Sequence, residues 1–428
     1  MEVGENEILG YGSHGTVVMR GRFQGREVAV KRVLLDFYTV AEHEVAILQA
    51  SDDHAHIVRY FGREQCDRFA YIAVERCVAS LADLLTLDTT SKGPWDAGKD
   101  LPSLPSPPRI LRHIALGLEH LHRLRLVHRD LKPQNLLLST SGRILVSDFG
   151  LCKKLEGPVS SFGLTHPQGD GMAGGMVGTV GWRAPECLAH AETESSLPPR
   201  FTRAVDIFST GCIFYYVLTK GMHPFGERYA REGNILLGKP DLSLLDDTGS
   251  SEDALAHDLI SSMLAYRPKN RPSAADVLAH PYFWSPATQL TFLMDLSDRL
   301  ERERRPGKNL TRLPSGEVNI IGDWRRRVDA GLLADLGRRR TYDGGSVREL
   351  LRAIRNKRHH FQELAPKVRA LFADEGPEAY LAYWSNRFPR LLLWVWRVAG
   401  TWAGSEDGER LRDEGMLRHY FAQELPEH

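Results

Sequence analysis

The chain of 428 residues has 55 lysines and arginines and 55 aspartates and glutamates, so its formal net charge at pH 7 is zero. With 42% hydrophobic and 26% charged residues it has the composition of a globular protein, which excludes disordered, collagen-like and coiled-coil chains. The balanced charge also excludes a chain-wide basic field for nucleic acid or membranes, so any such surface must be local. The length predicts about two or three domains.

The cysteines and apolar runs indicate the kind of compartment. The 5 cysteines are odd in number and lack CxxC spacing, which argues against a disulfide framework or a zinc site and favours a reducing compartment. The longest apolar run, Leu391 to Trp396, is far shorter than the roughly 20 residues of a spanning helix, so we expect no direct membrane contact from this chain. Because a glycine-rich loop pattern begins already at Gly10, we expect a longer parent protein, whose remainder could hold an anchor.

The N-terminal part favours β-strands. Val-rich patterns predict strands at Thr16 to Arg20 and at Glu27 to Arg32, and an apolar run predicts a third at Phe69 to Val74. A helix at Val40 to Ala50 is expected between them. The Pro- and Gly-rich stretches 88–108 and 157–177 are predicted to be surface insertions.

From Pro108 onward the apolar spacing becomes helical. The apolar residues of the first such helix share one stripe, namely Ile110, Ile114, Leu118 and Leu121. Thr202 to Leu218 and Asp253 to Leu264 have the same spacing. The sequence therefore predicts a β-rich lobe followed by an α-rich lobe.

A glycine-rich loop and a lysine strand predict a nucleotide site. The run from Gly10 to Val17 fits GxGxxGxV, whose glycines let a strand-turn-strand backbone close over phosphates. Lys31 ends a Val-Ala-Val-Lys strand, where its ammonium can pair the α- and β-phosphates, and Glu44 on the next helix is the natural carboxylate to hold it. The candidate ATP- or ADP-binding residues are Gly10, Gly12, Gly15, Val17, Ala29, Lys31, Glu44, Glu75, Cys77, Asn135 and Asp148.

Two further motifs supply catalytic groups. In the run His128 to Asn135, Asp130 is placed to accept the proton of a substrate hydroxyl, and Lys132 to neutralise charge on the transferred phosphoryl group. Asn135 and Asp148, the latter in Asp-Phe-Gly, are the candidate Mg²⁺ ligands. An Ala-Pro-Glu triplet at 184–186 closes an activation segment, whose candidate phosphosites are Ser160, Ser161 and Thr165.

The ordered set of motifs predicts a Ser/Thr protein kinase domain over residues 1–284, with an N-lobe at about 1–77 and a C-lobe at about 78–284. A pseudokinase is the alternative, but Lys31, Glu44, Asp130, Asn135 and Asp148 are all intact. Ordinary loop polarity is the alternative for the three hydroxyl residues. The remaining segment, 285–428, is long enough for another domain and carries the excess of positive charge.

A helix beginning after Ser346 dominates that second segment. Ser346 and Glu349 form the pattern of a capping box. The apolar residues of the helix share one stripe, namely Val347, Leu351, Ile354 and Phe361. Asn356 and His360, spaced i and i+4, are predicted on the opposite face with Arg355 at its side.

From the residues alone this polar group has two interpretations. One is a solvated helix end whose basic residues complement the helix dipole. The other is an RNA-cleaving site, since attack of a ribose 2′-hydroxyl on phosphate needs a base, an acid and cations. Tyr342, Arg355, Asn356 and His360 could supply these groups without a metal ion.

These residues carry a family resemblance. The chain from Gly10 to about Arg397 resembles the cytosolic half of the inositol-requiring kinase/endoribonuclease stress sensor of the unfolded protein response, most like fungal members. The matching runs are Asp148 to Leu155, Gly181 to Glu186, Leu350 to His360 and Arg387 to Pro389. The resemblance implies Tyr342 as base, His360 as acid, and Arg355 and Asn356 as further nuclease residues.

The resemblance also implies how such a protein works. The fold class would be α+β, a bilobal kinase fold followed by an all-α endoribonuclease domain at 285–428. The kinase would autophosphorylate in trans with ATP and Mg²⁺, and nucleotide-bound homodimers or higher oligomers would cleave stem-loop RNA to begin unconventional mRNA splicing. The parent protein would lie in the endoplasmic reticulum membrane, with this region on the cytosolic or nucleoplasmic side.

Two rival interpretations remain. An oligoadenylate-activated ribonuclease is similar, but should have ankyrin repeats upstream and a degenerate kinase, against which the intact Lys31, Asp130 and Asp148 argue. A plain kinase with a C-terminal helical docking module would use the arginine-rich segments as a protein-binding or solvated face.

The activation segment at 163–177 is longer and richer in glycine than the family pattern, so Thr165 is placed less firmly as a phosphosite than Ser160 and Ser161.

Overall fold

The computed structural model describes residues 1–12, 16–35, 38–51, 54–66, 68–86, 102–155, 178–192, 202–246, 249–302, 321–338, 340–403 and 417–421. The predictions for Gly15, Ser160, Ser161 and Thr165 lie outside these residues. The chain forms two compact units, the first comprising Met1–Leu242 and Ile260–Leu278, the second Ser243–Leu259 and Ala279–His428. The domain boundary at residue 284 stays a prediction.

A five-stranded antiparallel sheet opens the first unit. Its strands are β1 (Glu2–Tyr11), β2 (Val17–Phe23), β3 (Arg26–Leu34), β4 (Tyr60–Gln65) and β5 (Phe69–Glu75), in the order β1-β2-β3-β5-β4. Helix α1 (Tyr38–Ser51) lies between β3 and β4 in the chain. The three predicted strands and the predicted helix are all found, each slightly longer than its sequence pattern.

The hairpin between β2 and β3 sets the register of the sheet. Gln24 and Gly25 form a two-residue turn with positive φ angles of 51° and 79°, a turn that suits the twist of antiparallel strands. One face of the sheet buries Val28, Val30 and Ala73 completely. Because side chains alternate along a strand, Ala29 and Lys31 lie on the other face.

The rest of the first unit is mainly helical. Its helices include α2 (Leu81–Thr86), α3 (Pro107–Arg123), α4 (Pro185–Glu192), α5 (Ala204–Leu218) and α6 (Arg231–Leu236), followed by α7 (Ser251–Met263) and α8 (Ala274–Ala279), of which α7 belongs to both units. Its short strands are β6 (Cys77–Ser80), β7 (Leu126–Val127), β8 (Leu136–Ser139), β9 (Ile144–Val146) and β10 (Lys153–Lys154). The predicted stripe of α3 is confirmed, since its members are all at most 1% exposed, namely Ile110, Ile114, Leu118 and Leu121.

The second unit contains helices and no strand among the residues that the structure describes. They are α9 (Pro286–Arg302), α10 (Ala330–Gly337), α11 (Val347–His359), α12 (Pro366–Arg369), α13 (Pro377–Arg387) and α14 (Leu391–Ala403). Helix α11 packs against α9 and buries Leu351 and Ile354 as predicted, together with Phe361 just beyond its end. Within the described ranges, no helix is long and apolar enough to cross a membrane.

The start of α11 differs in one respect from the capping box expected there. The hydroxyl of Ser346 accepts a hydrogen bond from the amide of Glu349, as predicted. The amide of Ser346, however, donates to the carbonyl of Asp343 instead of to the Glu349 carboxylate. That carboxylate binds Arg340 and Arg352, so the charged partners outcompete the neutral amide.

Candidate active sites

Three separate sequence motifs meet at the ammonium group of Lys31. Its Nζ atom lies 2.7 and 2.8 Å from the two carboxylate oxygens of Glu44 and 2.9 Å from Oδ1 of Asp148. Lys31 comes from β3, Glu44 from α1, and Asp148 precedes the turn at Phe149–Leu151 with a left-handed φ of 64°. The predicted pairing of Lys31 with Glu44 is therefore present, and the Asp-Phe-Gly aspartate joins it.

Burial and charge act in opposite directions on this group. Burial alone would lower the pKa of Lys31, but the carboxylates of Glu44 and Asp148 raise it above its ordinary value. The same ammonium lowers the pKa of Asp148, against the effect of burial. Lys31 and Asp148 are thus held in their charged forms, as a phosphate- and cation-binding site requires.

The register of the sheet places one nucleotide candidate away from Lys31. Val18 pairs directly with Lys31 and so shares its face with Ala29, whereas Val17 pairs with Arg32 and lies on the opposite face. The nucleotide contact of Val17 stays a prediction, and Val18 is the neighbour that lies on the face of Lys31. The short hairpin turn, which the motif alone does not reveal, decides this register.

Gly10, Gly12, Glu75 and Cys77, the next nucleotide candidates, lie at or near strand ends, and Glu75 pairs with Val28, on the face opposite Lys31. Gly12 donates its amide to the carbonyl of Thr16 at 2.9 Å, just beyond the paired ends of β1 and β2, and Gly10 pairs with Val18. Glu75 ends β5, in which Val74 pairs with Ala29, and half-buried Cys77 begins β6. Burial raises the pKa of the Cys77 thiol to about 12, so this residue offers a neutral contact.

The candidate base Asp130 is held by a compact set of polar groups. Its Oδ2 atom lies 2.7 Å from Nζ of Lys132, and its Oδ1 accepts a hydrogen bond of 2.6 Å from the hydroxyl of Thr179. Lys132 also donates to that hydroxyl at 2.8 Å. Asn135 donates through Nδ2 to the carbonyl and to Oδ2 of Asp130. The structure thus brings together the predicted Asp130, Lys132 and Asn135.

The buried carboxylate of Asp206 on α5 binds the backbone of the catalytic loop, which is the run from His128 to Asn135. It is 1% exposed, and it accepts hydrogen bonds from the backbone amides of His128 and Arg129 at 2.8 and 2.9 Å. The His122 ring lies 3.0 Å from the same carboxylate. Burial alone would raise the pKa of Asp206, but these contacts lower it. The anchored backbone includes Arg129, whose φ of 67° is unusual for a residue with a side chain.

The donor set fits a magnesium nucleotide. Asp148 offers an ionised carboxylate whose side chain is 30% exposed. Both hydrogen bonds that Asn135 makes to Asp130 use the side-chain nitrogen Nδ2. The side-chain oxygen Oδ1 of Asn135 is therefore the atom that could bind a cation. Mg²⁺ prefers oxygen ligands and usually takes only one or two from protein carboxylates, with phosphates and water completing the shell.

In the second unit, three of the four predicted nuclease residues are joined by hydrogen bonds. Nδ2 of Asn356 donates to the hydroxyl of Tyr342 at 3.3 Å. The guanidinium of Arg355 donates through Nε and Nη2 to Oδ1 of Asn356, at 3.2 and 2.9 Å. Its Nη1 atom donates to Oδ1 of Asp298 on α9 at 2.5 Å. Tyr342 is buried at 8% exposure, so the polar group is partly inside the domain and not a fully solvated helix end.

The fourth residue, His360, lies one helical turn further on. Its amide donates to the carbonyl of Asn356 at 3.1 Å, so the two residues keep the predicted i, i+4 relationship at the backbone. The imidazole is half exposed, and its Nδ1 lies 2.6 Å from Oε1 of Glu363. That contact occupies one ring nitrogen and leaves Nε2 at the opposite side of the ring for a substrate.

Several residues of these sites were missed in the sequence. Thr179 and Asp298 contact the predicted residues Asp130 and Arg355, from which they lie 49 and 57 positions away, and Asp206 contacts Arg129, beside Asp130, from 77 positions away. All three lie outside the motifs from which the candidate residues were taken. The only signal was the position of Thr179 shortly before the Gly-Trp-Arg-Ala-Pro-Glu run.

Comparison with known families agrees with this arrangement. A model of the protein kinase domain matches residues 3–283, and a model described as ribonuclease 2-5A matches residues 289–412. The chain belongs to the protein kinase family. Because the ribonuclease match follows the kinase match, the predicted α+β fold class, a kinase fold followed by a helical nuclease domain, is confirmed.

The resemblance to the kinase/endoribonuclease stress sensors is also confirmed. The serine/threonine-protein kinase/endoribonuclease IRE1 of Hypocrea jecorina is 44% identical over 93% of this chain and 34% of its own length. IRE2 of Homo sapiens is 44% identical over 92% of the chain and 40% of its length, and the sensor for unfolded proteins in the ER of Schizosaccharomyces pombe is 43% identical over 90% and 37%. The chain thus spans only about a third to two fifths of these curated relatives.

Proposed function

We propose that this chain is a bifunctional Ser/Thr protein kinase and endoribonuclease of the unfolded protein response. The observation that carries the proposal is the presence of two assembled polar sites on one chain. One is centred on Lys31 and Asp130, the other on Tyr342 and Asn356. They lie in the two segments that match a kinase model and a ribonuclease model.

For the kinase, the geometry supports phosphoryl transfer to a hydroxyl group. Lys31 would pair the nucleotide phosphates, and Asn135 and Asp148 would hold Mg²⁺, which supplies charge neutralisation when bound. Asp130 would accept the proton of the attacking Ser or Thr hydroxyl. Lys132 would stabilise charge on the transferred group. Ser160, Ser161 and Thr165 are the proposed sites of autophosphorylation in trans.

For the nuclease, the residues suit a transesterification without metal. Tyr342, acting as its phenolate, would take the proton of the ribose 2′-hydroxyl and become the neutral phenol, and the 2′ oxygen then forms a bond to phosphorus. The bond from phosphorus to the 5′ oxygen breaks, and His360 would give that oxygen a proton. Arg355 and Asn356 would bind the phosphate oxygens as negative charge builds on them. The products are a 2′,3′-cyclic phosphate and a 5′-hydroxyl.

The remaining parts of the proposal come from the relatives. They are named kinase/endoribonucleases, and one is named a sensor for unfolded proteins in the ER. We therefore propose a stem-loop mRNA substrate, a nucleotide-bound homodimer or higher oligomer as the active form, and an endoplasmic reticulum parent protein that keeps this region on the cytosolic or nucleoplasmic side. The ribonuclease match over 289–412 favours this function over a docking module. The charged Lys31 and Asp148 pair favours it over a degenerate kinase.

The test asks whether one substitution removes the kinase activity alone and another removes the nuclease activity alone. Purified protein is assayed for phosphate incorporation from radiolabelled ATP and for cleavage of a stem-loop RNA. Asp130→Asn should remove the first activity and keep the second when ADP is supplied. His360→Asn should do the reverse. The proposal would be overturned if Asp130→Asn kept its kinase activity and His360→Asn kept its RNA cleavage. It would also be overturned if concentrated wild-type protein with ADP did not cleave RNA.

A further inference from the structure

A chain of hydrogen bonds leads from α9 to the candidate base of the nuclease. Asp298 accepts from Nη1 of Arg355 at 2.5 Å, Arg355 donates by two nitrogens to Oδ1 of Asn356, and Nδ2 of Asn356 donates to the hydroxyl of Tyr342. The side chain of Arg355 is 16% exposed, and that of Asp298 is 38% exposed. Asp298 lies 57 residues before Arg355, outside the segment from Tyr342 to His360 that contains the predicted nuclease residues.

The contacts of Arg355 fix which atom of Asn356 faces Tyr342. A guanidinium group can only donate, so it selects the carbonyl oxygen of the amide and turns the NH₂ group toward the phenol. If Arg355 moved away, the amide could rotate and present its carbonyl to Tyr342 instead. A donor at this position leaves the phenolic oxygen as an acceptor, which suits a group that must take up a proton.

Arg355 in turn needs a fixed position of its own. A guanidinium has five N–H groups, and the three contacts described use one on each nitrogen. One N–H group on Nη1 and one on Nη2 remain beyond these contacts as donors for phosphate oxygens. The bond to Asp298 restrains the arginine so that this pair keeps one direction.

We propose that Asp298 is a positioning residue of the nuclease, which acts on the reaction through Arg355 and Asn356. This inference rests on the proposed RNA cleavage. Asp298 touches neither the substrate nor Tyr342 in this arrangement. Its carboxylate orients the two residues that bind phosphate and hold the base, and small displacements of such groups cost large factors in rate.

The helix supplies a matched control at the same interface. Glu301, one turn further along α9, binds Arg352 of α11, which is 6% exposed. Glu301 and Asp298 therefore both attach α9 to α11 through an arginine, but Arg352 does not take part in the contacts to Asn356. Loss of either carboxylate weakens helix docking, whereas only loss of Asp298 should disturb the nuclease residues.

The experiment compares Asp298→Asn, Asp298→Glu and Glu301→Gln under single-turnover conditions with ADP, on a short stem-loop RNA. Asp298→Asn should lower the cleavage rate at saturating protein on the order of tenfold with little change in the concentration that gives half the maximal rate. Asp298→Glu should restore part of the rate. Glu301→Gln should cleave within about twofold of wild type, and thermal unfolding should show similar stability losses for both neutral variants.

The coupling itself is tested by a double-mutant cycle. In an Arg355→Ala background, Asp298→Asn should have no further effect on the residual cleavage, because the residue that Asp298 contacts and acts through is missing. Equal rate losses in Asp298→Asn and Glu301→Gln, or additive effects in the cycle, would overturn the positioning role. Wild-type cleavage by both Tyr342→Phe and His360→Asn would instead overturn the proposed site, so the two failures are distinguishable.

Discussion

Nζ of Lys31 lies within hydrogen-bond distance of both carboxylate oxygens of Glu44 and of Oδ1 of Asp148. One ammonium therefore links strand β3, helix α1 and the turn that follows Asp148. The ammonium lies between two anions, so truncation of Lys31 leaves two carboxylates without their cation, whereas truncation of either carboxylate leaves a single ion pair. The position of α1 and the position of Asp148, the candidate metal ligand, are coupled through this atom.

The first prediction concerns this link. Glu44→Gln should lower autophosphorylation about tenfold or more, because Lys31 would be held by Asp148 alone and drawn away from the phosphates. Incorporation of radiolabelled phosphate at saturating ATP measures the effect. Glu42→Gln is a suitable control, since Glu42 lies on the same helix but contacts Arg63 at 3.7 Å on the surface. An equal loss in both variants would contradict the assigned role of Glu44.

The second prediction concerns the base and the phosphosites. Asp130→Asn should reduce phosphate incorporation by roughly 10²- to 10⁴-fold, the range expected for removal of a general base. Combined Ser160→Ala and Ser161→Ala should reduce the phosphate incorporated per chain and leave phosphorylation of an added peptide detectable. Mass spectrometry of the phosphorylated chain identifies the modified residues. Robust incorporation by Asp130→Asn would remove Asp130 as the base.

The third prediction concerns the anchoring of the catalytic loop. Asp206→Asn should destabilise the first unit by about 3 kcal/mol or more, because a buried, ionised hydrogen-bond acceptor is replaced by a group that cannot serve all its partners. Urea unfolding would measure the loss. An unchanged free energy of unfolding would show that the amides of His128 and Arg129 find other acceptors.

How far the sequence could predict these sites depends on how local each relationship is. Lys31, Asp130 and Asp148 were predictable because each sits in a short motif whose backbone shape fixes its role. The face on which Val17 lies could not be predicted from the motif, because the strand register depends on the length of a turn several residues away. Asp298 was not found because its contact with Arg355 depends on the packing of two helices far apart in sequence.

The fourth prediction concerns pH and a row of four histidines in the first unit. The rings of His54 and His120 stack at 4.4 Å, those of His56 and His113 at 4.3 Å, and His54 and His56 meet edge to face at 5.7 Å. Burial, followed by neighbouring positive charges, lowers the pKa of His54 to about 4 and that of His113 to about 3. The facing cations are Arg109, Arg112, Arg123 and Arg143.

The direction in which stability changes with pH follows from proton binding in the folded and unfolded states. The unfolded chain binds protons at His54 and His113 below about pH 6.5, whereas the folded chain binds them only near pH 4 and pH 3, so the free energy of unfolding should fall as pH drops through that range. His54→Asn should flatten this dependence. His359→Asn, which alters an exposed ring, serves as the control. Urea unfolding at several pH values measures both, and parallel pH curves for wild type and His54→Asn would contradict the prediction.

The fifth prediction concerns regulation by nucleotide and assembly. If two nuclease domains work as a pair, ADP should raise RNA cleavage by binding the dimer more tightly than the monomer and so shifting the population toward the dimer. Cleavage per mole of protein should fall on dilution and be restored by ADP. Analytical ultracentrifugation at the same concentrations gives the oligomeric state. Constant specific activity across a dilution series that spans dissociation would contradict the idea.

The last prediction concerns the chemistry of cleavage. If Tyr342 and His360 serve as base and acid for 2′-hydroxyl attack, the upstream fragment should end in a 2′,3′-cyclic phosphate and the downstream fragment should begin with a 5′-hydroxyl. The end groups are checked by mass spectrometry and by labelling with polynucleotide kinase. DNA of the same sequence lacks the attacking hydroxyl and should remain intact.

The same mechanism places no metal ion in the chemical step. Cleavage by a preassembled dimer should therefore continue when EDTA is added, even though phosphoryl transfer by the kinase stops. RNA with a single 2′-deoxy residue at the cleavage site should resist cleavage there and be cut normally elsewhere. Loss of cleavage on chelation, with the dimer still intact by ultracentrifugation, would point to a metal-activated water, because in that case the attacking oxygen would not come from the ribose.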